Sequence, residues 1–588
     1  MQILKLSRTA MVAAALTLTV AGFAPAAFAQ DSDGVTFERL KNAASEPQNW
    51  LLPYGDYTTR SHSALKEITK DNIADLHVQF MTAIGGSQPA SVGGVAPGQR
   101  ATPLVKDGFM YVQNAWDQVN KIDLKTGQIV WQADLSGQGA SSKFGSVALL
   151  GDGVFYVSRN DMIMYKLDDE TGDIVWQVDT RGPDNVPGAE RATGGVLAVN
   201  DKIITSAAGP GMRAWIAAFN ASDGSLAWRW YSIPAPGEPG SETWADDHNA
   251  YLTGGGGIWS TPSYDADSNS IIFGTGESQP WADPAFRPGD NLYTNSTVAL
   301  DADTGKMNWY FQEIPQETWD YDTINPKMLY DINYNGESRK VVGTFSRNGF
   351  FYTLDRNNGS FIYGTAYRDP NWTAGLDPKT GKPVEYVPGS LTQDYAPNAA
   401  LRVGEAQTAQ NICPSLATST WWPPTYNPDT HVAYIQAMDA CFSQSIDEHI
   451  DPTRDDLKGN QGMWGGGNFW KFDYAFPNAP GLIIAVNTET GEKVSETTVD
   501  YPTNSGLLST ASDLVFVGSA DGKLIAFDGT TMKEVWSFNT GTPIGAPPIS
   551  YELDGHQYVA IVTGGGGTGS PKLASMQNAA QVVVFGLD

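Results

Sequence analysis

The sequence predicts an all-β fold, an eight-bladed β-propeller with tryptophan-type repeat turns, from three observations. One pattern recurs along the chain: an apolar strand end, a polar turn usually built on Asp or Asn and Thr-Gly, and a second strand often closed by Trp. Further hairpin patterns lie between these recurrences, and no long amphipathic helix pattern separates them. A radial array of four-stranded sheets buries such strands and leaves only short edges.

The recurring turns set the number of blades. Gly and Asn accept the positive φ that a tight hairpin requires, so each turn is expected to join two antiparallel strands. Hairpin patterns such as PLVKDGFMYVQ and ISYELDGHQYVAIVTGG bring each unit to about four strands. Seven recognisable turns with degenerate ends favour eight blades over seven. The turn segments are KIDLKTGQIVWQ, YKLDDETGDIVWQ, AAFNASDGSLAWRW, VALDADTGKMNWYF, YTLDRNNGSFIYG, IAVNTETGEKVSE and IAFDGTTMKEVWSF.

The N-terminus has the pattern of a secretory signal peptide. Two basic residues precede an apolar run over residues 10–23, and a small-x-small cleavage site ends at Ala29. The apolar run is too short for a comfortable membrane span. We therefore predict a signal peptide at residues 1–29, no membrane span, and a single propeller domain at residues 30–588.

Composition excludes several classes of function. The formal net charge of −28 disfavours binding to nucleic acid or to an anionic membrane and favours a basic protein partner. No C-x-x-C-H or H-x-x-x-H pattern occurs, so the chain offers no covalent haem site and no zinc hydrolase motif. Cys413 and Cys441 are the two cysteines, and a single disulfide is expected in an exported chain.

Two aspartates, Asp320 and Asp322, flank a tyrosine in the stretch ETWDYDTIN. In an extended segment, residues two apart point to the same face, so the two carboxylates would project together. Three interpretations remain open: solvated loop carboxylates, a pair sharing a proton for acid/base work, and a clamp for a hard metal cation. The local stretch does not decide among them.

The regular repeat breaks between about Thr365 and Asn468, where Pro, Trp, Asn and Gly are dense. Long insertions in a propeller usually lie on one face and shape a site. We expect these inserted loops to cover a central site, with simple packing as the alternative.

Several long motifs are similar to one known family. The chain resembles the pyrroloquinoline quinone (PQQ) dependent alcohol dehydrogenases, periplasmic eight-bladed propellers related to methanol dehydrogenase. The likeness covers nearly all of the predicted mature chain. It implies PQQ in the central channel, Ca²⁺ or a light lanthanide beside it, and an external c-type cytochrome as electron acceptor. The motifs include GGGGIWSTPSYD, FGTGESQPWADPAFRPGDN, WDYDTIN, SRNGFFYTLDR and ICPSLATSTWWPPTYNPDT.

The resemblance implies roles for individual residues. Asp320 matches the general base that takes the alcohol's hydroxyl proton, and Asp322 is similar to the additional metal ligand of lanthanide-using members. Arg347 matches the arginine that hydrogen-bonds the C5 oxygen of the quinone. Trp259 matches the tryptophan that stacks beneath the quinone, although a blade-core tryptophan is the alternative. Trp421 resembles the family's pocket tryptophan.

The metal site departs from the family pattern. The family's metal glutamate lies in G-A-E-x-G-V-R-G, whereas SAAGPGMRAW has Gly209 and Pro210 there. The family's asparagine ligand, in G-x-G-N-P, is replaced by Glu277 in GTGESQPW. We therefore predict a rearranged metal site in which Glu277, Asp320 and Asp322 are the anionic ligands.

Two further features complete the resemblance. The adjacent-cysteine ring found over the quinone in many members is missing, whereas Cys413 and Cys441 resemble the family's long-range disulfide. Arg100 stands where the family often has a glutamate before T-P-L, and a cation there is predicted to pair with a quinone carboxylate.

The resemblance predicts a periplasmic PQQ- and metal-dependent dehydrogenase that oxidises an alcohol to the carbonyl by hydride transfer to the quinone. The altered metal site, the missing cysteine ring and the insertion favour a bulky or secondary alcohol, such as the C3 hydroxyl of deoxynivalenol. The alternatives are a dehydrogenase of small primary alcohols and a non-enzymatic exported propeller that serves as a scaffold. A glycoside hydrolase pairing Asp320 with Glu317 or Asp322 is a third alternative.

Overall fold

The structure, a computed structural model, places most of the chain beyond the predicted signal peptide. Residues 1–29, which carry that prediction, lie outside the described residues. The described ranges are 34–89, 98–135, 143–183, 189–395, 407–415, 418–446, 470–474, 479–565, 573, 576 and 577–587.

The described residues form a ring of eight four-stranded antiparallel sheets, which confirms the predicted propeller. Strands are counted outward from the ring axis in each blade. The strands of blades 1 to 4 are Leu104–Lys106, Phe109–Gln113, Gln118–Asp123 and Ile129–Asp134; Ala148–Leu150, Gly153–Val157, Ile163–Asp168 and Ile174–Asp179; Leu197–Val199, Lys202–Ala207, Trp215–Asn220 and Leu226–Tyr231; Ser263–Asp265, Ser270–Gly274, Ser296–Asp301 and Met307–Gln312. Those of blades 5 to 8 are Met328–Tyr334, Glu337–Phe345, Phe350–Asp355 and Phe361–Ala366; Thr425–Asn427, Val432–Met438, Gly481–Asn487 and Lys493–Val499; Leu507–Thr510, Leu514–Gly518, Lys523–Asp528 and Glu534–Asn539; Ile549–Leu553, His556–Val562, Gln577–Gly586 and His77–Pro89.

Blade 8 joins the two ends of the ring. Its outermost strand, His77–Pro89, comes from the N-terminal part of the chain and runs antiparallel to Gln577–Gly586, with His77 opposite Gly586. Pairing the ends in this way leaves no open strand edge between the last blade and the first.

The repeated Trp and Thr-Gly hold neighbouring blades together. The indole Nε1 of Trp309, in the fourth strand of blade 4, donates to the carbonyl of Arg356 in blade 5 at 3.1 Å. Gly359, in the turn of blade 5, lies under that ring with φ +71°, and a Cβ there would meet the indole at 2.4 Å. Trp131 makes the same contact with Asp169 at 2.9 Å. The turn therefore needs glycine for both its backbone conformation and the closeness of the ring.

Each of the seven predicted turns joins the third and fourth strands of a blade. In blades 1 to 7 the register shifts next to each turn, and the extra residue of this β-bulge lies in the fourth strand, just after the turn. Bulges increase the local twist, which suits sheets that are arranged radially.

The N-terminal segment packs against the inner strands of the ring. The carbonyl of Tyr57 accepts from the backbone of Tyr264 at 3.0 Å, and that of Thr58 accepts from Leu329 at 2.8 Å, so the segment crosses the inner strands of successive blades. The short strand His62–Ser63 then pairs in parallel with the first strand of blade 7.

The predicted insertion lies between blades 5 and 6 and inside blade 6. Its three-stranded sheet consists of Gln407–Ile412, Phe442–Ile446 and Trp470–Tyr474. A disulfide joins Cys413 to Cys441, as expected.

The remaining elements are short. No helix in the described part of the chain is long and apolar enough to cross a membrane. The elements are an α-helix at Phe37–Lys41, 3₁₀ turns at Ala43–Ser45, Ile73–Asp75, Ser241–Thr243, Ala250–Leu252 and Pro284–Phe286, and a parallel pair formed by Gln99–Ala101 and Lys143–Gly145.

Candidate active site

A cavity of about 260 Å³ opens at one end of the channel. The first and second strands of each blade are antiparallel, so the loop before the first strand and the loop after the second lie at the same end of the ring. Blades 2 to 5 contribute such loops to the cavity wall, which includes Arg159, Trp259, Glu277, Asp322 and Arg347. The propeller thus gathers residues that are far apart in sequence.

Three predicted metal ligands meet in this cavity. Glu277, Asp320 and Asp322 each present a carboxylate oxygen, and the three oxygens lie within 4.8 Å of one another. Glu277 follows the second strand of blade 4, and the two aspartates precede the first strand of blade 5. Three hard oxygen donors at this spacing are suited to a hard cation such as Ca²⁺.

The aspartates come together through a turn. Asp320 has a left-handed backbone with φ +65°, and no strand covers the stretch that contains it. The Glu317 carboxylate folds the stretch by accepting the backbone N–H of Trp319 and that of Tyr321, the latter at 2.9 Å. The expectation that an extended segment aligns the two carboxylates was therefore wrong in its geometry.

Asp322 is held from the side of blade 4. Its Oδ1 accepts the backbone N–H of Glu277 at 2.7 Å. A Cβ on Gly276 would lie 2.6 Å from the same oxygen, so glycine lets the backbone approach the carboxylate closely. Gln279 Nε2 donates to Glu277 Oε1 at 3.0 Å. These contacts hold two of the three carboxylates in place.

Arg347 links the aspartates to Trp259. Its Nη1 donates to Oδ1 of Asp320 at 3.0 Å, and its Nη2 lies 3.2 Å from Oδ2 of Asp322. Its guanidinium carbon lies 5.3 Å from the centre of the Trp259 ring, within cation–π range. The structure thus brings together five of the residues predicted for the site.

The carboxylate cluster carries unbalanced charge. Burial raises the pKa of Glu277 well above its usual value, and the nearby Asp322 raises it further. Burial also raises the pKa of Asp320 well above its usual value, although Arg347 opposes the shift. Three carboxylates face one guanidinium, so two negative charges remain when all are ionised. A bound multivalent cation would offset that excess.

Arg100 and Trp421, which the resemblance assigns to the cofactor site, lie close to each other, but neither lines the cavity. The Arg100 guanidinium carbon is 5.7 Å from the Trp421 ring centre. Burial, and then the charge of Arg159, lowers the pKa of Arg100 to about 10. Trp421 packs in an apolar cluster with Trp422, and Trp259 borders that cluster.

The departure at Gly209 has a steric cause. Gly209 lines the cavity, and a Cβ there would lie 1.9 Å from the carbonyl oxygen of Ala189. The backbone therefore leaves no room for a side chain at the position where the family has its metal glutamate.

Glu317 does not suit the hydrolase alternative. Its side chain is fully buried and does not line the cavity, and its Oε1 is engaged by backbone N–H groups. Burial raises its pKa to about 7. The carboxylate supports the turn and does not face a substrate.

Sequence reasoning missed other cavity residues, including Arg159, Arg191 and Gln279. A positional signal was present for the first. Arg159 is the second residue after the second strand of blade 2, and Arg347 occupies the same position in blade 5. Alignment of the repeats by strand would have directed attention to it.

The insertion borders the turn that carries the aspartates. Gln444 of the inserted sheet donates its Nε2 to the carbonyl of Thr318 at 2.7 Å. Tyr321 donates its hydroxyl to the carbonyl of Pro414, beside the disulfide, at 2.6 Å. The inserted loops therefore help to position the turn, which is consistent with their predicted location over the site.

Comparisons with known proteins agree with this fold. The PQQ family model described as "Glucose/ethanol/alcohol dehydrogenase, beta-propeller domain" matches residues 50–428 and 481–559. The chain is 33% identical over 582 residues to a quinohemoprotein alcohol dehydrogenase of Comamonas testosteroni, covering 94% of this chain and 78% of that protein. The crystal structure of the Comamonas testosteroni enzyme has a TM-score of 0.81 at 29% identity, covering 94% of this chain and 82% of that one.

A europium-containing methanol dehydrogenase has a TM-score of 0.82 at 24% identity, over 94% of this chain and 100% of that one, and it supports the fold alone. The fold and the matching family model together define a propeller oxidoreductase, and its central cavity carries three carboxylates. The chain belongs to the PQQ-dependent alcohol dehydrogenase family.

Proposed function

We propose that this protein is a periplasmic dehydrogenase that uses PQQ and Ca²⁺ or a light lanthanide to oxidise a bulky or secondary alcohol, such as the C3 hydroxyl of deoxynivalenol. The observation that carries the proposal is the cluster of Glu277, Asp320 and Asp322, held in the central cavity beside Arg347 and Trp259. Family membership supplies the reaction class, and this cluster supplies the residues.

The cluster is the proposed metal site. Glu277, Asp320 and Asp322 would hold the cation through carboxylate oxygens. Arg347 offsets only one of their three negative charges, and the remaining buried negative charge favours a bound cation. Oδ1 of Asp322 also accepts the backbone N–H of Glu277. This hydrogen bond fixes the Asp322 side chain against the backbone of the other ligand.

Trp259 is the proposed floor of the PQQ site. Its ring borders the cavity and offers a flat apolar surface to a flat cofactor. When bound, PQQ supplies the two-electron acceptor that takes the hydride of the alcohol, and the cation supplies Lewis acidity at the quinone carbonyl. Arg347, which reaches both the ring and the carboxylates, is placed to donate to an oxygen that gains negative charge.

Asp320 is the proposed base. Arg347 donates to Oδ1 of Asp320, so the alcohol's hydroxyl proton is taken at Oδ2 as the carbonyl bond forms. In the protein alone, burial raises the pKa of this carboxyl. A cation held by the same cluster would favour the ionised form, which is the form that accepts a proton.

The substrate proposal rests on space and on the insertion. Gly209 presents no side chain to the cavity, where the family pattern has a glutamate. The inserted sheet contacts the turn that carries Asp320 through Gln444 and Thr318. Both features distinguish this cavity from the family pattern, and they support a substrate other than methanol.

An external c-type cytochrome is the proposed electron acceptor. The sequence contains no C-x-x-C-H motif, and the formal charge of −28 favours a basic partner. We propose accordingly that this chain carries no haem.

Reconstitution tests the proposed function. Protein made without PQQ is incubated with PQQ and either Ca²⁺ or La³⁺, and dye-linked oxidation is measured with methanol, ethanol, secondary alcohols and deoxynivalenol. We expect oxidation only when PQQ and a metal are both added, with higher kcat/KM for secondary or bulky alcohols than for methanol. Activity restricted to methanol and ethanol would instead support small primary alcohols, and no oxidation by PQQ-loaded protein would leave the scaffold alternative.

A further inference from the structure

The cavity wall carries a second charged group of residues besides the acidic cluster. Arg159 follows the second strand of blade 2, and Arg191 precedes the first strand of blade 3. Both line the same cavity as the three carboxylates, and both are half-buried. The backbone N–H of Ala192 donates to the carbonyl of Arg159 at 3.0 Å, so the two loops are in contact.

Backbone pairing holds Arg191 in place. Its N–H donates to the carbonyl of Ala208, and its carbonyl accepts from the N–H of Ala208, both at 3.1 Å. Ala208 directly precedes Gly209, the position without a side chain. Arg191 is therefore held beside Gly209 on the cavity wall.

Within the described ranges of the chain, neither guanidinium group is bonded directly to a carboxylate, although the charge of Asp117 acts on Arg159 from further away. Neither forms an ion pair or a hydrogen bond with a described residue, and the buried Nε of Arg159 has no acceptor there. Burial, and then the charge of Arg191, lowers the pKa of Arg159 to about 10. Arg347, by contrast, contacts two carboxylates of the cluster.

Two half-buried like charges that repel each other, with no carboxylate bonded directly to either, are costly in a protein that only has to fold. A bound anion would change that balance, because a guanidinium fork matches a carboxylate in shape and charge. The acidic cluster lies on loops of blades 4 and 5, whereas the two arginines lie on loops of blades 2 and 3. The wall thus changes sign from blades 4 and 5 to blades 2 and 3.

We infer that Arg159 and Arg191 form a carboxylate-binding subsite that holds carboxylate groups of bound PQQ. The inference rests on the proposed function, because it assumes that PQQ is the ligand of this cavity. PQQ is a planar quinone with three carboxyl groups, which need cations once they leave water. The two arginines meet that need on the side of the cavity away from the blades that supply the acidic cluster.

Equilibrium binding tests the subsite without relying on activity. Metal-supplemented protein purified without PQQ is titrated with PQQ, and separately with PQQ trimethyl ester, by quenching of tryptophan fluorescence. The variants are R159Q and R191Q. R181Q is the matched control, because Arg181 is an exposed arginine paired with Asp179 and does not line the cavity.

We expect each of R159Q and R191Q to weaken PQQ binding by about 10- to 100-fold, the range for losing a charge-assisted hydrogen bond, with R181Q unchanged. The preference of the wild type for PQQ over its ester should shrink in both variants. Thermal unfolding of the PQQ-free variants should occur at or above the wild-type temperature, because a repulsion is removed.

Wild-type affinity for PQQ in both glutamine variants would overturn the subsite. If the wild type itself binds no PQQ, the proposed function fails instead, so the two failures are distinguishable. If a glutamine variant does not fold, the lysine variants R159K and R191K are titrated with PQQ and with its ester instead. These variants keep the charge and should keep the preference for PQQ over its ester, and folded lysine variants that bind both alike would overturn the inference.

Discussion

Asp320 is the residue on which the proposed proton transfer depends. Asp320→Asn keeps the size of the side chain and an oxygen for Arg347 but cannot accept the alcohol proton, so we expect the rate of oxidation to fall by about 10²- to 10⁴-fold. Dye-linked assays at saturating PQQ and metal, with both contents measured, check this. Asp152→Asn changes an exposed carboxylate and should retain wild-type turnover. Wild-type turnover in the fully loaded Asp320 variant would contradict the assignment.

Asp322 is predicted to decide which metal supports activity. Asp322→Asn retains an oxygen for the N–H of Glu277 but removes one negative charge, and it loses the favourable contact with Arg347. A trivalent ion loses more Coulomb energy than a divalent ion when an anionic ligand is removed. Activity titrated with La³⁺ or Ce³⁺ should therefore fall more than activity titrated with Ca²⁺.

Equal losses with both kinds of ion, or no loss with either, would assign Asp322 a purely structural role. The contacts of this residue make asparagine a better replacement than alanine, because alanine would also leave the N–H of Glu277 without its acceptor.

Sequence and structure agree unevenly at the residue scale. The residues Glu277, Asp320, Asp322, Arg347 and Trp259 could be chosen from motifs, since a motif carries its position in the chain.

Arg191 could not be chosen in that way, because an arginine next to a strand reaches the axis or the solvent according to the strand register. Arg159 could be reached only by aligning the repeats by strand. The turn at Asp320 was missed for a related reason. Its left-handed backbone depends on a carboxylate, that of Glu317, which sequence alone does not show to be buried.

The contact between blades is predicted to depend on the glycine of each turn. Gly359→Ala places a Cβ 2.4 Å from the Trp309 ring at φ +71°, so we expect a left-handed backbone cost of roughly 1–2 kcal/mol. Overpacking should add roughly 1–3 kcal/mol. Gly336→Ala in the same blade is the matched control, because its φ is +82° and nothing lies within 4 Å of the added Cβ.

Chemical denaturation of the two variants separates these costs. The denaturation midpoint should fall further for Gly359→Ala than for Gly336→Ala, and equal shifts would show that the glycine serves only the turn.

The repeat itself was predictable from sequence because Thr-Gly and Trp occur together in it. Their contact across two blades, however, required the three-dimensional arrangement.

At the scale of the whole molecule, the acidic surface is predicted to steer a basic electron acceptor. With a net charge of −28, we expect the rate of reduction of a basic c-type cytochrome to fall as ionic strength rises from about 10 mM to about 200 mM, because the Debye length shortens. Reduction of an uncharged dye by the same preparation is the control and should change little. A rate with the cytochrome that does not depend on salt would contradict electrostatic steering.

The number of blades could be predicted from the sequence, but the way in which the ring closes could not. Eight blades follow from counting turns, which are local patterns. The pairing of His77 with Gly586 joins residues near opposite ends of the chain, and no local pattern identifies such a partner. The N-terminal segment that crosses the inner strands of successive blades was missed for the same reason.

Metal removal and return is the most direct test of the central claim, that the carboxylate cluster holds the metal that supports PQQ-dependent oxidation. Protein loaded with PQQ is treated with a chelator, and dye-linked oxidation of its best alcohol is followed as Ca²⁺ or La³⁺ is added back, with bound metal measured in each sample. We predict no activity without metal, full activity at one ion per chain, and failure of Glu277→Gln to bind that ion. Full activity in metal-free protein, or unchanged metal binding in Glu277→Gln, would contradict the account.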